Sequence, residues 1–379
     1  MEREQRATVV TGATGFLGRE LLTALLATPG ERVVTPLRPS RGESAAARTA
    51  RLLEAVFPDP DRREEAAGRV HPVETDLVAD DPRLGEALRR AVDGLPTRVI
   101  HGAASVAFDL PLEEARRINV DGTRRMLEAA GALAQAGLLT RFAYVSTAFV
   151  AGLREGTVYE HELDVGQDFT NTYERTKREA EQLARDWQGR LPVTLFRPSI
   201  VAGRASTGET SHFRVLYWPL KVFARHLVVC IPGERDAVFD IVPVDFVVDA
   251  LLHILEREDS VGGCYHLTAG TEVTLDAMVR LAAEIFEIRR VPPYVSPRRL
   301  YPLLRPLLAL VLVGRFRNVL EVGEVYIPYL CKRLVFDNRG TRAALQGSTI
   351  RMPDMNAYLK TIFSYARATD FGRRMPADP

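Results

Sequence analysis

The sequence uses almost no lysine. Of its 50 Lys and Arg residues, only Lys177, Lys221, Lys332 and Lys360 are lysine. A chain that writes arginine by habit needs a local reason for each lysine. Arginine offers a planar fork that stays charged, whereas lysine offers a compact ammonium whose pKa shifts readily. Cysteine is scarcer still. Cys230, Cys264 and Cys331 lie far apart and share no C-x-x-C spacing. That excludes a disulfide framework and a zinc site, so no metal is expected, and it fits a reducing compartment. Charge of either sign is not in surplus: the formal net charge is +1, and nothing global points to nucleic acid. Long hydrophobic runs are also missing. Residues 301–316 are broken by Arg305 and Pro306, and residues 215–232 by Pro219, Lys221, Arg225 and His226. Neither reaches the roughly 20 apolar residues that span a bilayer. Both read as helices lining an apolar pocket. Arg298, Arg299, Arg305, Arg315 and Arg317 around the first keep peripheral membrane contact as the lesser reading. The opening residues MEREQRATVVTG contain no apolar signal core. The expectation is a cytoplasmic protein.

What is present is ordinary globular composition, 46% hydrophobic and 26% charged over 379 residues. This length suits one large domain or two coupled ones. Strands are expected at 7–11, 32–37, 69–74, 97–101, 141–146 and 193–197. Helical stretches lie between them, including one long helix over 111–136. Strands alternating with helices predict a doubly wound parallel α/β sheet. After Gly203 the composition turns apolar. We expect residues 1–203 to form the sheet domain. Residues 204–379 form a smaller, mostly helical substrate domain, with about 237–255 returning to the sheet.

Residues 11–18, TGATGFLG, fall between the first strand and the first helix. Gly12 permits a tight turn, Gly15 lets backbone approach a pyrophosphate, and Gly18 lets helix pack close to strand. Thr14, Phe16 and Leu17 complete the loop. An anion would sit on the helix N-terminus, where free N–H groups and the dipole favour it. The strand–loop–helix context makes this a dinucleotide site of the Rossmann type. The second strand ends in VVTPLRPSR, with Arg38 and Arg41 and no acidic residue to hold ribose hydroxyls. Those arginines, with Arg48 and Arg51 on the next helix, favour the 2′-phosphate of NADPH. Asp76, followed by Leu77, stands after the third strand, where its carboxylate could accept from the adenine amino group.

Tyr173 and Lys177 in NTYERTK occupy one helical face. A nearby ammonium would lower the phenol's pKa from about 10 and make it a usable acid. Tyr217 and Lys221 have the same spacing, so context must choose. Thr147 lies 26 residues before Tyr173, at the end of the fifth strand. Its hydroxyl converges with the first pair at the carboxyl edge of the sheet. Tyr217 has no such upstream partner.

TGATGFLG, the Thr147/Tyr173/Lys177 set and INVDGT at 118–123 resemble the extended short-chain dehydrogenase/reductases. Residues 101–130, 37–52, 195–203 and 240–254 resemble the fatty acyl-CoA reductases. They are equally similar to the thioester reductase domains of carboxylic acid reductases and peptide synthetases. The resemblance covers about residues 7–255. It implies NADPH-dependent reduction of an acyl thioester, from acyl-CoA or a carrier protein, to an aldehyde and on to an alcohol if a second reduction follows. Thr147 would donate to the oxyanion, with Ser146 as its neighbour; Tyr173 would protonate it, and Lys177 would hold the nicotinamide ribose. Ala103, Ala104 and Ser105 would line the cofactor, with Pro198, Ser199 and Ile200 near the nicotinamide. Asn119 would brace the fourth strand and its helix, and a dimer is consistent with the superfamily. The competing readings are a sugar-nucleotide epimerase or dehydratase, a hydroxysteroid-type dehydrogenase, and an NADP-sensing binding protein. His101 is expected to be packed, Phe108 is open between pocket and core, and Asp245 reads as a helix N-cap.

Overall fold

The structure is a computed structural model that describes residues 5–40, 42–213, 215–297, 299–311, 314 and 323–373. Arg41, Arg298, Arg315 and Arg317 lie outside the described residues. The central sheet contains β1 (Arg6–Thr11), β2 (Glu31–Leu37), β3 (Val70–Glu74), β4 (Thr97–His101), β5 (Leu139–Val145), β6 (Val193–Pro198) and β7 (Cys264–Leu267). They lie side by side in the order β7-β6-β5-β4-β1-β2-β3, and every pair is parallel. A parallel sheet is covered on both faces, so its strands read as near-continuous apolar runs. Adjacent residues then serve different faces. Val10, Val33, Ile100 and Ala143 belong to one apolar core, and their neighbours Val9, Val34, Val99 and Phe142 to the other.

Helix α1 (Phe16–Leu26) follows β1, and α2 (Ala45–Val56) and α3 (Pro60–Ala67) follow β2. The third of these, and the edge strand β7, were not foreseen. Helix α4 (Leu84–Ala91) precedes β4. The long helix expected over 111–136 is divided. An α-helical turn α5 (Leu112–Arg116) passes through a π-helical turn at Arg117–Asp121 into α6 (Gly122–Gln135). The buried Asn119 lies in that π turn, and the Thr123 hydroxyl donates to its carbonyl at 2.6 Å. Such insertions in an α-helix often mark functional sites. Helix α7 (Thr172–Asp186) packs beside them and is capped by Asn171, whose side chain accepts from the Glu174 N–H.

Beyond β6 the chain makes α8 (Tyr217–Ala224), α9 (Val244–Glu256), α10 (Leu275–Ile285), α11 (Tyr301–Val311), α12 (Arg339–Ala344) and α13 (Met355–Ala368). Residues of α8, α10 and α13 bury a third apolar cluster. The short strand Ile241–Pro243 pairs in parallel with Ile200–Ala202, and α9 contributes Val247, Ala250, Leu251 and Ile254 to the core that α1 occupies. No described helix is long and apolar enough to cross a membrane.

Candidate active site

The strand order reverses between β1 and β4, which opens the crevice where ligands bind in such sheets. The glycine loop lines it. Gly12 has φ +76, and a Cβ there would press within about 3.0 Å of the Gly102–Ala103 backbone. Gly18 has even less room, since a Cβ would collide with the Gly12 carbonyl. The N-cap of α1 is Gly15, with no side-chain hydrogen bond to the first-turn N–H groups. These donors are therefore free to meet an anion.

Below the loop, side chains tie β1 to β4. The Thr11 hydroxyl lies 2.7 Å from His101 Nδ1, and it accepts from the Ala103 N–H at 3.2 Å. His101 Nε2 lies 3.1 Å from the Thr123 hydroxyl. Burial, with Lys177 nearby, pushes His101 down to about 3. It is a neutral, packed residue, as the sequence suggested. Asn119 receives the Ser105 N–H at 2.8 Å and donates to the Thr176 hydroxyl at 2.9 Å. It braces the loop after β4 against α7.

The three candidate catalytic side chains converge in one cavity of about 620 Å³. Thr147 and Tyr173 both line it, and the Thr147 hydroxyl accepts from the Phe149 N–H at 3.2 Å. Lys177 Nζ donates to the Tyr144 hydroxyl at 2.9 Å and to the Val145 carbonyl at 2.8 Å. It also lies 4.4 Å from the Tyr144 ring centroid. Burial lowers Lys177 to about 7, opposed by the Glu181 carboxylate. The expected lowering of the Tyr173 phenol is not met: burial pushes it up to about 12, against the lowering influence of Thr147. The physical reason is that desolvation disfavours the phenolate, while the ammonium points at Tyr144. Ser146 donates to Glu181 at 2.6 Å and is committed there.

Among the sequence-derived residues, Gly12, Gly15, Phe16, Leu17, Gly18, Ala104, Phe108, Ser146, Thr147, Tyr173, Lys177, Pro198, Ser199, Ile200 and Tyr217 line this cavity. The others do not. Arg38 and Arg48 sit beyond β2, where the Arg48 guanidinium donates to the Arg38 carbonyl. Asp76 accepts from the Val78 N–H at 2.9 Å, and the Leu77 carbonyl accepts from Arg125 at 2.8 Å. Thr14 offers its carbonyl to Arg19 at 3.2 Å. Ala103 and Ser105 are held by the Thr11 and Asn119 contacts. Two further readings change. Asp245 is not the N-cap of α9, which is Pro243; its carboxylate accepts from the Ala205 N–H at 3.2 Å. Phe108 belongs to the cavity wall, with its ring 5.9 Å from Tyr173 and 5.7 Å from Tyr329. On the second Tyr-x-x-x-Lys helix, the buried Tyr217 hydroxyl accepts from the Gly203 N–H at 2.9 Å.

Sequence reasoning missed two buried ionic clusters around α7. Glu181 accepts from Arg197 at 2.7 Å, with both side chains fully buried. Its place one further turn along the face of Tyr173 and Lys177 was the available signal. Glu174 pairs with Lys332 at 3.1 Å and accepts from the Tyr329 hydroxyl at 2.6 Å. Asn171 donates to the same hydroxyl at 2.7 Å. The scarcity of lysine could have flagged Lys332 as it flagged Lys177.

The male sterility protein family, an NAD-binding domain family, matches residues 10–251. The chain belongs to this family. The male sterility-type chain is 28% identical over 284 residues to fatty acyl-CoA reductase wat of Drosophila melanogaster, covering 66% of this chain and 54% of that protein. It is 28% identical over 300 residues to a linear gramicidin synthase of Brevibacillus parabrevis, covering 76% of this chain and 6% of that one. The chain thus spans about half the length of the fatty acyl-CoA reductase. Among solved structures it resembles the terminal R domain of the myxalamid PKS-NRPS pathway. That match has a TM-score of 0.78 and 26% identity, covering 98% of this chain and 92% of that one. Likeness to a UDP-glucuronic acid 4-epimerase from Bacillus cereus, at TM-score 0.66 and 18% identity over 96% and 97% of the chains, is one of fold alone.

Proposed function

We propose that this chain is an NADPH-dependent reductase of an acyl thioester, carried on CoA or on a carrier protein. One observation carries the reading. Thr147, Tyr173 and Lys177 stand together in a cavity whose wall runs from the glycine loop to the apolar side chains Trp218, Phe223, Met278 and Leu330. Such a cavity accepts a greasy acyl group and excludes water. It offers little to a sugar nucleotide.

The residues present fit the cofactor. Gly15 and Gly18 leave no side chain between the loop and a pyrophosphate. Arg48 has a buried Nε without a partner, and its pKa is lowered by burial and by Arg38 and Arg51. An anion there would relieve a cluster of three like charges, and the 2′-phosphate is the anion that distinguishes NADPH. When bound, NADPH supplies the hydride. Thr147 donates to the thioester carbonyl oxygen as charge develops on it. Tyr173 then gives its phenolic proton to that oxygen, and its high pKa keeps the proton available. Lys177 would hold the nicotinamide ribose hydroxyls with its ammonium. The hemithioacetal loses thiol to leave an aldehyde, and the same hydroxyls can serve a second reduction to the alcohol. In this reading residues 1–203 serve the cofactor and residues 204–379 the acyl group; within 237–255 α9 packs on the sheet's core, and the later strand that joins the sheet is β7.

The test is to mix the purified protein with NADPH or NADH and a panel of acyl-CoAs, following reduced-nicotinamide absorbance and free thiol together. Oxidation of NADPH matched by thiol release is expected, with NADH slower. Oxidation without thiol release would overturn the reaction, and equal rates with NADH would overturn the role given to Arg48.

A further inference from the structure

Helix α11 has two apolar faces. On one, Tyr301 and Leu308 line the cavity. On the other, Leu303, Leu307 and Leu310 are 68%, 59% and 81% exposed, and Leu300 just before the helix is 47% exposed. Spacings of four and three put the helical leucines on one side. Scattered exposed leucines are normal, but a contiguous face of them marks a contact surface.

The surrounding charge says what kind of surface covers it. Between Ile288 and Leu320 the chain carries Arg289, Arg290, Arg298, Arg299, Arg305, Arg315 and Arg317, and no Asp or Glu. The whole chain has a net charge of +1, so everything outside this window sums to −6. Arg305 is engaged by Glu324 at 2.6 Å. Arg289, Arg290 and Arg299 are exposed and have no ion pair among the described residues. An apolar helical face within a purely cationic segment is the pattern of a helix lying in the interface of an anionic bilayer. A protein partner would not require every charge in the segment to have the same sign.

We propose that α11 docks this chain on an anionic lipid surface, with Leu303, Leu307 and Leu310 entering the acyl region and Arg289, Arg290 and Arg299 meeting lipid phosphates. The wall between bilayer and cavity is then a single helix. The proposal rests on the exposed face and the charge pattern, and stands or falls apart from the proposed reaction.

The full chain should be sedimented with vesicles of phosphatidylcholine alone and of phosphatidylcholine mixed with phosphatidylglycerol. Binding is expected to the mixed vesicles at low salt, with release at high salt. The triple variant Leu303→Ser, Leu307→Ser, Leu310→Ser should partition less by on the order of 10²-fold, with its circular dichroism unchanged. A second variant, Arg289→Gln, Arg290→Gln, Arg299→Gln, keeps the test open if the first fails to fold, and it too should bind less. Failure of the parent to pellet with mixed vesicles would overturn the proposal. So would undiminished pelleting of both variants. A parent dimer that the leucine variant converts to monomer would assign the face to a second copy.

Discussion

Two of the four lysines are buried, and they are buried differently. Lys332 meets a carboxylate, Glu174, directly. Lys177 meets only neutral oxygens, from Tyr144 and Val145, and feels Glu181 from a distance. Desolvation lowers the pKa of both. A buried charge that touches its counter-ion is held in place, and its removal strands the partner. A buried charge facing neutral groups is poised, because its proton costs little to displace. The first arrangement closes a wall and the second suits chemistry.

The largest effect that sharpens this contrast is Lys177→Arg. The guanidinium keeps the charge yet cannot share the compact ammonium geometry. Turnover should fall by about 10²–10⁴-fold with little change in melting temperature. Unchanged turnover would return Lys177 to a packing role. Next comes Lys332→Met. It leaves the Glu174 charge buried alone, so denaturant unfolding should show a loss of about 3–5 kcal/mol. Adding Glu174→Gln should recover part of that loss. If Lys332→Met unfolds like the parent, the pair is not a structural clamp.

The smallest effect tests what sets the proton on Lys177. Its folded pKa of about 7 lies below the ordinary lysine value of about 10.4. Between those values the unfolded chain holds the proton and the folded chain does not. This group's contribution to stability therefore rises with pH through that window. The ammonium that the proposed reaction uses is lost over the same range, so kcat/KM should fall above about pH 7. Tyr144→Phe removes an oxygen that stabilises the ammonium. The alkaline limb should move to lower pH, with roughly a tenfold loss in rate, as for a hydrogen bond to a charged group. An unmoved limb would detach Tyr144 from Lys177.

The sheet was legible because its strands are short β-branched runs separated by helical periods, and burial on both faces leaves little ambiguity. The glycine loop was legible because its spacing is fixed by backbone approach. Thr147, Tyr173 and Lys177 were legible because strand end and helix face dictate where they meet. The π turn at Arg117–Asp121 was not, since it depends on Asn119 being held from Ser105 and Thr176 at once. Lys332 and Tyr329 were not, since no local pattern says that residue 332 will find residue 174. The direction of the Tyr173 shift was misread because spacing shows which charges are near, not how dry the site is or where the ammonium points.

The contact between Asn171 and Tyr329, 158 residues apart in sequence, has a consequence in time. The floor of the crevice is joined by a shorter-range contact, Thr11 with His101, 90 residues apart. The roof over Tyr173 waits for a much longer loop to close, and closing long loops slows folding. The expected order in refolding is the crevice floor first and the roof after it. Protection of the α7 amides against hydrogen exchange will lag behind that of β1 and β4.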